Sequence, residues 1–193
     1  MLLLFIAPPT IFMISIIQVD ESFPVKRIAA PVEKALGEKI AFPPEVVHVS
    51  RAAFSIGRGQ WDAEAVIAEL ERKVPGSVLG IFPHDLYVGA MNFVFGAARM
   101  GGGAGVLSYH RLRPGHAFKG DERVVAKTFL ERVEKEAVHE LGHLLGLHHC
   151  RNDRCVMSFS PSLYWVDFKE KKFCRNCSAR LRELEESRLR ERA

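Results

Sequence analysis

The chain has 193 residues, of which 48% are hydrophobic and 26% charged; this is ordinary globular composition, long enough to bury a core, and it excludes a disordered or fibrous chain. The net charge of +4 comes from basic residues spread along the whole length, with concentrations only at "KEKKFCRNCSAR" and in the C-terminal arginines. Nucleic-acid binding is permitted by this balance but not indicated by it.

Residues 1–19 carry no charge and read "MLLLFIAPPTIFMISIIQV", which raises an export signal or a membrane segment. No Lys or Arg precedes the run, no small-residue cleavage site follows it, and Pro8 and Pro9 interrupt it. The β-branched residues after the prolines favour a buried first strand over 11–19, with no membrane partner. Met13 is a second possible start, which leaves open whether residues 1–12 belong to the mature chain.

A helix follows over "FPVKRIAAPVEKALGEK", with Gly37 as its stop, and "AFPPEVVHV" is extended because of its paired prolines and its valines. In "WDAEAVIAELERKVPG", Ala63, Val66, Ile67, Leu70 and Val74 fall on one helix face, Asp62 caps the start and Gly76 ends the segment. "SVLGIFP", "MNFVFGAAR" and "AGVLSYHRL" are three strand candidates, the last two joined by a glycine-rich hairpin connection rather than a phosphate cradle, since no Lys-Ser/Thr follows. A long helix runs from about Asp121 to Gly146. Residues 147–177 read as irregular, and "SARLRELEESRLRER" closes the chain as a charged helix with a thin stripe of Leu181, Leu184 and Leu189.

The long helix ends in "HELGHLLGLHH". On a helix, His139 and His143 stack on one face one turn apart, a spacing that suits two ligands on one ion. Glu140 then lies beside the ion without ligating it, within reach of a water. Gly146 lets the chain turn so that His149, favoured by spacing over its neighbour His148, supplies a third imidazole. Three imidazoles leave one position of tetrahedral zinc open, the mark of a catalytic site; the ion would bring the pKa of a water to about 7, and Glu140 would take the proton.

Cys150, Cys155, Cys174 and Cys177, the only cysteines, are spaced C-x4-C-x18-C-x2-C. Two chelating pairs of this kind suit a closed, structural zinc site. Disulfides are the other reading, but nothing else in the chain points to an oxidising compartment, and a redox CxxC at 174–177 lacks the β-α context it needs. A cytoplasmic protein with two zinc ions per chain is expected.

"HELGHLLGLHHCRNDRCVM" followed by "CRNC" resembles the archaemetzincins, a branch of the metzincin metallopeptidases in which HExxHxxGxxH runs into a cysteine, then C-x4-C-x-M, then CxxC. The match is specific over residues 139–177; upstream, "RGQWDAEAVIAEL" and "VFGAAR" are weakly similar. The resemblance implies an α+β or α/β zincin-like metzincin fold: a twisted mixed sheet with an antiparallel edge strand and an active-site helix, above a small zinc-stapled C-terminal subdomain. It divides the chain into 1–146, with the sheet and active-site helix, and 147–193, with the third histidine, the methionine turn at Met157, the four-cysteine site and the last helix. It implies a zinc peptidase, with Met157 as an apolar floor under the metal, and a peptide substrate lying extended along the edge strand "MNFVFGAAR". A monomer is expected. Two other readings are a metal-dependent RNA hydrolase, since bacterial rRNA-maturation nucleases share the H-x3-H-x5-H spacing, and a catalytically silent zinc-binding module. Glu140 and the four cysteines weigh against the first, and the complete ligand set against the second.

Overall fold

In a computed structural model of the chain, residues 14–21, 23–114 and 121–191 are described. In chain order the elements are β1 (Ile14–Val19), α1 (Lys26–Leu36), β2 (Val46–Val47), β3 (Phe54–Ser55), β4 (Gln60–Asp62), α2 (Ala63–Lys73), β5 (Ser77–Phe82), β6 (Leu86–Tyr87), β7 (Gly96–Ala98), β8 (Ala104–Ser108), α3 (Glu122–Leu144), α4 (Leu163–Phe168) and α5 (Arg175–Glu191). Residues 11–13 of the expected first strand lie outside the described residues, as do 1–10.

The main sheet has the order β2-β1-β5-β8-β7. Its first four strands are parallel, and β7 closes one edge antiparallel to β8, with Gly96 opposite Leu107 and Ala98 opposite Gly105. Both faces are covered, as a parallel arrangement requires. Ile14, Ile16, Leu79, Ile81 and Leu107 pack with α1 and α3 on one face. Ile17, Val19, Val78, Phe82 and Val106 pack with α2 on the other. This mixed α/β architecture is the one the archaemetzincin resemblance implies.

Three features escaped the sequence reading. A second sheet, β3-β4-β6, has strands of two or three residues, too short for any periodicity to register. The six-residue α4 lies inside the stretch expected to be irregular. Leu189, placed on the stripe of the last helix, is exposed, whereas Leu181 is buried.

α3 positions the site, and its interior is unusually polar. Arg132, Glu134, Lys135 and Glu136 are all buried on it. Each is met by residues 166–171. Arg132 Nε and Nη2 donate to the two carboxylate oxygens of Asp167 at 2.7 and 2.6 Å, and Lys135 Nζ donates to the carbonyls of Val166 and Asp167. Glu134 accepts from Lys171 at 2.6 Å. Lys169, fully buried, holds its ammonium 2.8 Å from Glu136 Oε1, in a geometry that makes an ion pair without a directed hydrogen bond. A helix with this charge pattern would ordinarily face water; here the C-terminal segment neutralises it in place.

Removing one member of a buried pair strands the other, at a cost of about 3–5 kcal/mol. Lys169→Ala is therefore expected to lower unfolding stability by that amount. Arg180→Ala, which breaks an exposed pair with Glu183, should stay within about 0.5 kcal/mol of wild type. Equal denaturation midpoints for Lys169→Ala and the parent would refute the structural role of the pair.

Candidate active site

α3 is capped by Asp121, whose side chain accepts from the Arg123 N–H at 2.7 Å. It ends in a Schellman turn. The N–H of Gly146 donates to the His143 carbonyl, the N–H of Leu147 donates to Gly142, and Gly146 takes φ 91°, a conformation only glycine adopts without strain. The turn reverses the chain so that His149 comes back toward the helix.

The imidazoles of His139, His143 and His149 converge, with ring centroids 4.7 to 5.2 Å apart. His148 is not in the cluster. His139 Nδ1 donates to the Val156 carbonyl at 2.8 Å, and His143 Nδ1 donates to Leu147 at 2.7 Å. A carbonyl can only accept, so each Nδ1 carries the ring proton and each Nε2 presents a lone pair. Those two lone-pair nitrogens sit 3.2 Å apart. Without a cation between them they repel; two nitrogen ligands on a tetrahedral zinc with bonds of ~2.05 Å would be about 3.3 Å apart. The donor set therefore fits zinc.

Burial first, then the charge of Lys169 and the neighbouring imidazoles, holds the His139 pKa well below its usual range. Burial brings His143 down to about 4. Burial, followed by Lys169, also lowers His149. All three are thus kept neutral, the form that binds metal.

Glu140 is buried against β7, and its Oε2 has no hydrogen-bond partner among the described residues. Burial first, and then the carboxylate of Glu136 one turn away, raises its pKa well above the usual carboxylate range, with Lys169 opposing. Met157 is fully buried and packs under the helix at Gly142, where a Cβ would lie only 3.0 Å from the Met157 methyl carbon and closer still to its sulfur.

Glu136, His139, Glu140, His143 and His149 line a cavity of about 560 Å³ whose other walls are mostly apolar, among them Met91, Phe93, Phe95, Met100 and Phe159. Phe159 packs against His149 with the rings tilted by 59° and their centroids 5.3 Å apart. Sequence reasoning missed Glu136, Lys169 and Phe159. Glu136 could have been found from its i−4 spacing to Glu140, but nothing local marks Lys169 or Phe159.

The four thiols form a second cluster. Cys150 Sγ lies 3.8 Å from Cys174 Sγ, and Cys155 Sγ lies 3.7 Å from Cys177 Sγ. Disulfide sulfurs are bonded at ~2.05 Å, whereas sulfurs sharing a tetrahedral zinc with bonds of ~2.3 Å stand about 3.8 Å apart. The backbone N–H of Cys174 donates to Cys155 Sγ and that of Asn152 to Cys150 Sγ, as thiolates favour. Burial alone would raise the Cys174 thiol, but a backbone hydrogen bond at Cys177 and the surrounding thiols pull it down to about 7. Burial and the charge of Cys155 push Cys177 up. Four thiols this close cannot all ionise without a cation among them.

No helix among the described residues is long and apolar enough to cross a membrane. The sequence pattern of peptidase family M54 matches residues 7–183. The archaemetzincin of Haloarcula marismortui is 38% identical over 167 residues, covering 85% of this chain and 96% of that protein. The crystal structure of archaemetzincin from Methanopyrus kandleri superposes with a TM-score of 0.78 at 38% identity, over 92% of this chain and 97% of the other. A zinc-dependent peptidase from Methanocorpusculum labreanum gives a TM-score of 0.75 at 26% identity, over 86% and 99%. With a family match across nearly the whole chain and relatives of matching length, the chain belongs to peptidase family M54, the archaemetzincin zinc metallopeptidases.

Proposed function

We propose that this peptidase cleaves its substrate at the three-histidine site, with Glu140 as general base. The observation that carries the reading is the convergence of three neutral imidazoles beside one unpartnered buried carboxylate on the floor of an apolar cleft. His139, His143 and His149 would hold zinc, whose chemistry when bound is Lewis acidity toward a peptide carbonyl and an attacking water. Glu140 takes the proton from that water and returns it to the leaving amine. Its raised pKa matches the task, because a carboxylate that holds a proton more strongly is the better base near neutral pH. The carbonyls of Val156 and Leu147 fix the orientation of two of the imidazoles, and Met157 fills the space below them.

Cys150, Cys155, Cys174 and Cys177 would hold a second, structural zinc, giving two ions per chain. Cys150 directly follows His149, so this clip pins the third histidine's loop to the start of α5. Residues 1–146 and 147–193 then act as two subdomains, the second carrying the clip. The substrate peptide lies extended along β7, the antiparallel edge strand, and adds a strand to the sheet. Reduced thiols at metal spacing favour a cytoplasmic location, and one chain supplies a complete site, so the working unit is a monomer. No observation favours the RNA-hydrolase or silent-module readings.

Stepwise chelation monitored by metal analysis should remove the histidine-bound ion first, because four thiolates leave a chelator no open position. One ion per chain, or two disulfides, would defeat the two-site assignment. Glu140→Ala should retain zinc and lose peptide hydrolysis by at least ~10²-fold, while Cys174→Ser should lower both melting temperature and catalytic zinc occupancy. If Glu140→Ala cleaves a peptide library as well as wild type does, or wild type cuts structured RNA and no peptide, the assignment is wrong.

The metal-free protein should also be acid-sensitive. Unfolding returns the imidazoles to an ordinary pKa near 6.5, so below that pH the unfolded chain binds protons that the folded chain does not, down to about 4 for His143. Stability of the metal-free form therefore falls as pH drops from about 6.5 to 4. Denaturant titrations of His143→Gln should show a shallower pH dependence than the parent, since His139 and His149 still contribute; parallel curves would exclude His143 as a contributor.

A further inference from the structure

Gly96 lies on β7 where the edge strand passes the active-site helix. Its φ is outside the left-handed region, so the backbone there does not call for glycine. Space does. A Cβ at position 96 would lie 2.7 Å from Cδ and 2.8 Å from Cγ of Glu140 and would abut its Oε1, where non-bonded carbons prefer ~3.5–4.0 Å.

Both backbones are tied. β7 is hydrogen-bonded to β8, and the Gly101 N–H at the hairpin donates to the His143 carbonyl at 2.9 Å, tying the strand to the helix that carries Glu140. On β8 a Cβ at Gly105 would lie 2.9 Å from the Ala98 Cβ, so the two strands have no slack between them. The one soft coordinate left is the set of side-chain torsions of Glu140, which is buried and has Glu136 one turn away on the same helix.

We infer that Gly96 is a positioning residue for the proposed general base: the missing side chain on the edge strand sets where the Glu140 carboxylate rests. The inference rests on the reading of Glu140 as the group that accepts the proton. A methyl group at position 96 would push the carboxylate by roughly 1 Å while leaving backbone and histidines in place, and a misplacement of that size can cost ~10²-fold in rate. The same glycine leaves the strand backbone clear at the point where an extended substrate would lie beside the catalytic carboxylate.

The test is a double-mutant cycle on the zinc-loaded protein, using a peptide selected from a library that wild type cleaves. Gly96→Ala should keep its zinc and lose kcat by ~10²-fold with KM changed far less. Glu140→Asp withdraws the carboxylate by one methylene and makes room for the methyl, so adding Gly96→Ala to it should cost no more than ~3-fold. Thermal melting supplies a reading independent of activity: Gly96→Ala should lower Tm in the wild-type background and leave it unchanged in Glu140→Ala, where the clash is gone. Full activity of Gly96→Ala overturns the inference. So does an equal loss in the wild-type and Glu140→Asp backgrounds, which would place the effect in the strand. If Glu140→Ala itself cleaves as wild type does, the general-base reading falls first, and the melting cycle alone then decides whether residues 96 and 140 are in contact.

Discussion

A run of ionisable side chains buried along one helix sets the terms for the rest of this structure. From Arg132 to His143, α3 carries Arg132, Glu134, Lys135, Glu136, His139, Glu140 and His143 in the interior. Buried groups of this kind are costly without a partner, and all of them but Glu140 have one. The partners come almost entirely from one stretch of chain: Val156 to His139, Asp167 to Arg132, the carbonyls of Val166 and Asp167 to Lys135, Lys169 to Glu136 and Lys171 to Glu134. The C-terminal segment is thus the other half of the active-site helix, and anything that loosens it exposes the helix to its own uncompensated charge.

That dependence explains the place of the cysteine cluster. Cys155 sits next to Val156, which orients His139; Cys150 follows His149; and Cys174 and Cys177 open α5 just beyond the paired stretch 166–171. A metal ion held by these four thiols would tie the ends of the segment together. Two candidate ligand sets of different chemistry stand side by side here. Three neutral imidazoles would leave a tetrahedral ion one open position, whereas four thiols at this spacing would close it completely.

Close approach does the remaining positioning, through residues that lack side chains. Gly142 lets Met157 rise against the helix beside His143, and Gly146 turns the chain back so that His149 can join the other two imidazoles. The apolar walls of the cleft then exclude water around the one carboxylate that lacks a partner, and that exclusion is the main source of its raised pKa.

The histidine set, Glu140, the cysteine set and the Gly146 turn were legible in the sequence because they depend on local spacing. Helical periodicity puts residues four apart on one face, and a glycine after the last turn signals the reversal whatever surrounds it. The long elements β1, β5, β8, α1, α2 and α3 were legible for the same reason. The small sheet β3-β4-β6 and α4 were not, since strands of two or three residues and a six-residue helix leave no period to detect. Nor could the chain by itself reveal that "RVEKEAVHE" is buried rather than solvated. Its charges look like an exposed helix face, and only the docking of residues 166–171, far along the chain, gives Arg132, Glu134, Lys135 and Glu136 partners in the interior. Lys169 and Phe159 acquire their places by the same long-range contacts. Sequence determined which groups could do chemistry; the tertiary structure decided which were neutral, which were paired and how closely the edge strand approaches, because burial and distance between segments far apart in the chain are properties of packing.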